Sequence, residues 1–204
     1  MDIQLREHII YFEFSSFLVA FLCLLKHKET FFKVFVAYLL VIYVIELLIN
    51  IYFENNNKHI YDILTFFEFN LIFLLFYTLN KEDKSRILIR YFTIGFNIIY
   101  AISFYYQILK DYTVILGGIL GSVLMFIYLK DLLKSDKVVD YKRNLSLFIT
   151  VILLFYYLST IPFFTMLYIT GMKDSFLFYI VHIITIVTHL SFIFGMLWSK
   201  AAKN

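Results

Sequence analysis

The sequence predicts an all-α membrane protein, a polytopic bundle of seven transmembrane helices, and three observations predict it. Of its 204 residues, 62% are hydrophobic and only 16% are charged, against about half and about a quarter in soluble domains. The charges fall in short clusters between apolar runs of about the 20 residues that a spanning helix needs. One proline and six glycines leave little turn chemistry, which fits long helices on short loops and not a membrane barrel.

The apolar runs are, in order, 8–25, 31–53, 59–80, 87–108, 113–130, 145–168 and 176–198. The stretches between them (KHKET, ENNNK, KEDKSR, KDYT, DLLKSDKVVDYKRN and TGMKDS) are too short to fold alone, so 1–204 reads as one domain. The start, MDIQLREH, is not the basic leader of a signal peptide and no small-x-small cleavage site follows, so the first run reads as a retained helix. Basic residues alternate from loop to loop. Lys26, Lys28 and Lys33 mark the first connection, Lys81, Lys84, Arg86 and Arg90 the third, and Lys130, Lys134, Lys137, Lys142 and Arg143 the fifth. The second, fourth and sixth hold one lysine each: Lys58, Lys110 and Lys173. The positive-inside rule puts the basic set in the cytoplasm. Seven crossings then place the N-terminus outside and the C-terminus, with Lys200 and Lys203, in the cytoplasm. The expected location is a bacterial inner membrane.

Packing signals sit in two runs. Gly117 and Gly121 form a GxxxG pair and Gly118 with Ser122 a second small-xxx-small pair, a spacing that lets helix backbones approach closely. Contact within the bundle is the first reading and a homo-oligomer seam the alternative. Pro162 removes a backbone donor and is expected to kink the sixth helix. Cys23 is the sole cysteine and reads as a small buried apolar residue. Lys33 and Arg90 lie about one turn inside their helices, where long stems snorkel to the headgroups. No basic stripe suggests nucleic acid.

A charge in hydrocarbon is costly and marks a candidate site. Glu13, Glu46, Asn50, Asp62, Glu68, Asn97, His182 and His189 all fall in the outer halves or near the middles of their helices, and Glu46 and Asn50 share one face. If the helices form one bundle, these groups converge on a polar pocket open to the outside. Glu46, Glu68 and His189 are the deepest and are expected to share it. His182 and His189 are seven residues apart, about 10 Å along the helix, too far to chelate one ion alone, so no metal ligands are assigned. A zinc site completed by carboxylates is a minor alternative.

Ile45-Glu46-Leu-Leu-Ile-Asn50, Ile60-Tyr61-Asp62-Ile-Leu with Phe67-Glu68-Phe69, Phe155-Tyr-Tyr-Leu-Ser159-Thr-Ile-Pro162 and His189-Leu-Ser-Phe-Ile-Phe-Gly195 resemble a family of small, uncharacterised seven-helix integral membrane proteins of Bacteroidetes-type bacteria. The resemblance implies seven helices and brings no reaction or ligand. The chain lacks the mid-helix lysine of retinal proteins, having none between Lys173 and Lys200 in the last run, and lacks the HxxxH of the zinc-dependent seven-helix hydrolases. The leading expectation is therefore a ligand- or ion-sensing module in the lipid bilayer, signalling through a cytoplasmic partner docked at 130–144. An intramembrane hydrolase, with or without metal, and a proton- or cation-coupled transporter are the alternatives.

Overall fold

The computed structural model describes residues 3–52, 58–134, 144–171 and 175–199. Every backbone N–H and C=O inside a bilayer must be satisfied within the chain, and the described residues meet this with helices alone and no strands. The helices are α1 (Ile3–Leu22), α2 (Thr30–Tyr52), α3 (Lys58–Leu79), α4 (Asp83–Ser103), α5 (Gln107–Leu133), α6 (Leu145–Thr165) and α7 (Ser175–Trp198). A 3-10 turn, Cys23–Leu25, extends α1, and a π turn, Met166–Thr170, extends α6. Six helices are long and apolar enough to cross a membrane, so the chain is a multi-pass membrane protein.

α4 is the helix not among those six, because Asp83, Lys84, Arg86 and Arg90 occupy its first two turns. It nonetheless lies antiparallel along the whole of α3. The Arg90 guanidinium reaches the Tyr77 hydroxyl, the Asn97 amide pairs with Asn70, and the Tyr100 hydroxyl donates to the Asp62 carbonyl.

The fourth connection departs from the sequence expectation. KDYT, expected as the fourth loop, lies inside α5, and the chain turns instead at Phe104–Tyr106, inside the expected 87–108 span. Lys110 can sit in a helix because its charge is met: Nζ is 3.0 Å from Asp62 Oδ2 and 5.2 Å from the Phe104 ring centre. α5 also runs past the expected end at 130, to Leu133.

The basic turns gather at one end of the bundle. Lys26 Nζ donates to the carbonyls of Met196, Leu197 and Ser199 at 3.3, 3.4 and 2.5 Å, so it caps the C-terminal end of α7. His27 beside it bonds Ser199 Oγ at 3.2 Å. Ser85 donates to Asp131 (2.8 Å), joining the start of α4 to the end of α5, and Tyr128 bonds Ser146 (2.7 Å), joining α5 to α6. Asn144 caps α6 through Oδ1, which accepts from Ser146 N. Residues 135–143 of the expected docking loop lie outside the described residues.

Between lipid-facing helices the driving force is close packing. At the basic end the interior is filled by Phe32, Phe35, Phe73, Phe76 and Phe192, all buried, with Phe35 edge-on to Phe192 at 5.0 Å. Gly117 permits the tightest approach: a Cβ there would lie 2.3 Å from the Phe69 ring of α3. Gly121 faces Ile72 of α3, and Gly118 faces Tyr157 and Ile161 of α6. The small residues of α5 thus pack within the chain. α6 remains helical through Pro162 and passes into the π turn, which Gly171 ends with a φ of 68° that favours glycine.

Candidate functional site

Most hydroxyls in the spans are satisfied by their own helix. Thr65, Thr93, Ser122, Thr150, Thr165 and Thr188 each donate to the carbonyl four residues back. Others reach across helices, and near mid-span one of them meets a carboxylate.

Glu68, near the midpoint of α3, accepts a hydrogen bond from the Tyr157 hydroxyl of α6 at 2.5 Å, the length of a charge-assisted O–H···O contact. The Tyr38 hydroxyl of α2 lies 3.4 Å from that of Tyr157. A phenol has one proton. Tyr157 gives its own to Glu68, so Tyr38 is the donor to Tyr157, and the chain runs Tyr38 to Tyr157 to Glu68. Glu46 of α2 lies within electrostatic range of Glu68. Glu13 of α1, Glu46 and Glu68 are all within range of the Tyr156 hydroxyl, which is bonded to Thr185 of α7. Glu13, Tyr38 and Tyr157 are buried, whereas Glu46, Asn50 and Glu68 are partly exposed. Glu68 is therefore bonded into a tyrosine chain from α6 and α2, with Glu13 and Glu46 within electrostatic range of the Tyr156 hydroxyl beside it.

His189, expected to share a site with Glu46 and Glu68, meets α1 instead. Its Nδ1 is 2.7 Å from Ser16 Oγ, and Ser16 donates to the Glu13 carbonyl at 2.9 Å. Ser16 Oγ, fully buried, thus bridges the His189 imidazole and the Glu13 carbonyl.

The other candidate residues lie elsewhere. His182 Nδ1 meets the carbonyl of Phe178 on its own helix at 2.5 Å. Asp62 pairs with Lys110 at the end of the bundle opposite the basic turns. Asn97 and Asn70 exchange amide hydrogen bonds of 2.9 and 3.1 Å, and each also donates to its own helix, to Thr93 and Phe66. Asn97 is thus a clasp between α4 and α3. Asn50 stands partly exposed one turn beyond Glu46. Among the described residues no three His, Cys, Asp or Glu side chains are grouped as metal ligands.

Sequence reasoning passed over Tyr38, Tyr156, Tyr157, Ser16 and Asn70. The available signal was depth: Tyr38, Tyr156 and Tyr157 lie well inside their apolar runs rather than at the interfaces where tyrosine is enriched.

The chain matches no protein-family model, no curated protein and no solved structure. Its function must be argued from these residues.

Proposed function

We propose that the protein is an ion-sensing membrane module in which Glu13, Glu46 and Glu68 form an outward-facing acid layer that takes up protons, and that a cytoplasmic partner reads the resulting helix shift. The observation that carries this is the short Tyr157–Glu68 bond near mid-span, with Glu46 within electrostatic range of Glu68 and with Glu13, Glu46 and Glu68 all within range of the Tyr156 hydroxyl. Like charges within reach of one another in a low-dielectric interior cannot all stay ionised. Protonation relieves the repulsion, and it weakens the charge-assisted bond that ties α3 to α6.

The rest of the reading supports a sensor. The Phe32, Phe35, Phe73, Phe76 and Phe192 core at the basic end favours a dead-ended site over a transport path. We take α4 as the seventh crossing because it matches α3 end to end. The gathering of Lys26, Lys28, Lys81, Lys84, Lys130 and Lys134 at one end supports the reading in which that end is cytoplasmic and the N-terminus outside, in a bacterial inner membrane. The resemblance to the small seven-helix proteins of Bacteroidetes-type bacteria belongs to the same proposal, as does a partner at 130–144.

Infrared difference spectra of the protein in lipid nanodiscs, taken as pH is lowered, test the proposal. A protonated-carboxyl band should grow and be lost in Glu68→Gln. The fluorescence of Trp198, the single tryptophan, should change with the same midpoint in the wild type only. A carboxyl signal that does not change with pH overturns the reading.

A further inference from the structure

The turn between α3 and α4 carries an arrangement that the acid layer does not use. Tyr77 of α3 is flanked by two arginines of α4, whose guanidinium carbons each lie 5.3 Å from its ring centre. Arg90 donates to the Tyr77 hydroxyl at 2.6 Å. Arg86 Nε donates at 2.7 Å to the carbonyl of Asn80, whose own amide is tied to the Phe76 carbonyl at 2.9 Å. Two cations one helical turn apart are thus pinned around a single ring, each by one of its five donors. Lys81 and Lys84 stand exposed beside them. Asp83, within electrostatic range of Tyr77 and Arg90, offsets part of this charge, and Glu82 is the other acidic residue of the turn.

A snorkelling arginine extends into water and needs neither a second arginine nor a ring. These two fold back onto Tyr77. About a quarter-turn round α4 from them runs an exposed apolar strip, Ile87, Tyr91, Ile94 and Ile98, at 49, 69, 57 and 55% exposure, with the spacing of one helix face. The strip starts at the arginines' depth and continues along the helix away from the turn. A basic pair beside an apolar strip complements an anionic phospholipid.

We propose that Arg86, Arg90 and Tyr77 form a binding site for one anionic phospholipid, its phosphate held by the outer N–H donors of the two guanidiniums and an acyl chain along Tyr91, Ile94 and Ile98. The phosphate relieves the repulsion between the arginines and accepts the remaining N–H donors in the paired geometry that guanidinium favours. Inorganic phosphate could use the arginines but not the strip.

The test is native mass spectrometry of the purified protein released from mixed phosphatidylglycerol and phosphatidylcholine. The wild type should retain phosphatidylglycerol in preference, and inorganic phosphate should not displace it. Arg86→Gln with Arg90→Gln should lower the preference roughly thirtyfold, for two charges each worth about 1 kcal/mol at an anionic surface. Lys33→Gln should leave it unchanged. Equal retention of both lipids, a preference that survives the double variant, or full displacement by inorganic phosphate would each overturn the proposal; the last marks an anion site only. If the double variant does not fold, Arg90→Lys, which keeps the charge and loses the fork, should weaken retention, and undiminished retention there counts against the site.

Discussion

Three consecutive residues of α3 face three different helices. Glu68 meets Tyr157 of α6, Phe69 fills the space against Gly117 of α5, and Asn70 clasps Asn97 of α4. Glu68 and Asn70 are polar groups at one depth, yet they are opposites. Asn70 and Asn97 are neutral, reciprocal and use their amides fully, so the pair can only hold two helices together. Glu68 is titratable, takes one short bond and has a like charge, Glu46, within range. Depth in an apolar run raises the suspicion of function, and the completeness of the partners decides it.

The largest effect expected comes from the residue between them. Gly117→Leu would drive side-chain atoms into the Phe69 ring and displace both neighbours, lowering stability by about 3 kcal/mol or more. Gly121→Ala, with its nearest neighbour at 3.7 Å, should cost little. Thermal unfolding in detergent measures both, and a stable Gly117→Leu that loses a dimer would instead mark the glycine face as a seam between copies.

The second effect separates the two polar contacts. Asn97→Leu leaves the Asn70 amide half-satisfied and should cost about 1 kcal/mol at every pH, whereas Asn70→Leu with Asn97→Leu should recover most of it. Glu68→Gln keeps an acceptor for Tyr157 and should cost little stability while removing the pH response. A pH response that survives Glu68→Gln, or one that vanishes in Asn97→Leu, breaks the comparison.

Much of this was legible in the sequence and some was not. Long apolar runs and alternating basic turns specify helices and their ends, because backbone satisfaction leaves no other choice in lipid. The end of α4 is hidden because Phe104, Tyr105 and Tyr106 look like span while Lys110 looks like loop; the Asp62 carboxylate that admits Lys110 to a helix stands 48 residues back in the chain. Asn97 resembles the carboxylates in sequence because its depth shows there and its partner does not. Tyr157 carries no sequence signal as a donor because in a hydrophobic run a tyrosine reads as a ring, and the acceptor of its hydroxyl is 89 residues away.

The smallest effect expected comes from a titratable group outside the layer. Burial first, and then Lys26, hold the His27 imidazole below its usual range. The unfolded chain takes up a proton near pH 6.5 that the folded chain resists. Stability from this group is therefore complete above about pH 6.5 and falls as pH drops below it, by less than about 1.4 kcal/mol per pH unit. His27→Gln should flatten that slope in detergent unfolding without altering the infrared response assigned to Glu68. An unchanged slope would show that His27 is not the group responsible.

The Ser16–His189 bond and the Lys26 cap on Ser199 each join positions 173 residues apart. At synthesis rates of about 5–20 residues per second, Ser16 waits on the order of 10–35 s for His189 to be made. Through that interval α1 carries Glu13 and Ser16 into the membrane without the helix that covers them. The order of translation thus makes the α1–α7 seam one of the last to close, and a nascent chain halted before α7 lacks the partner of Ser16.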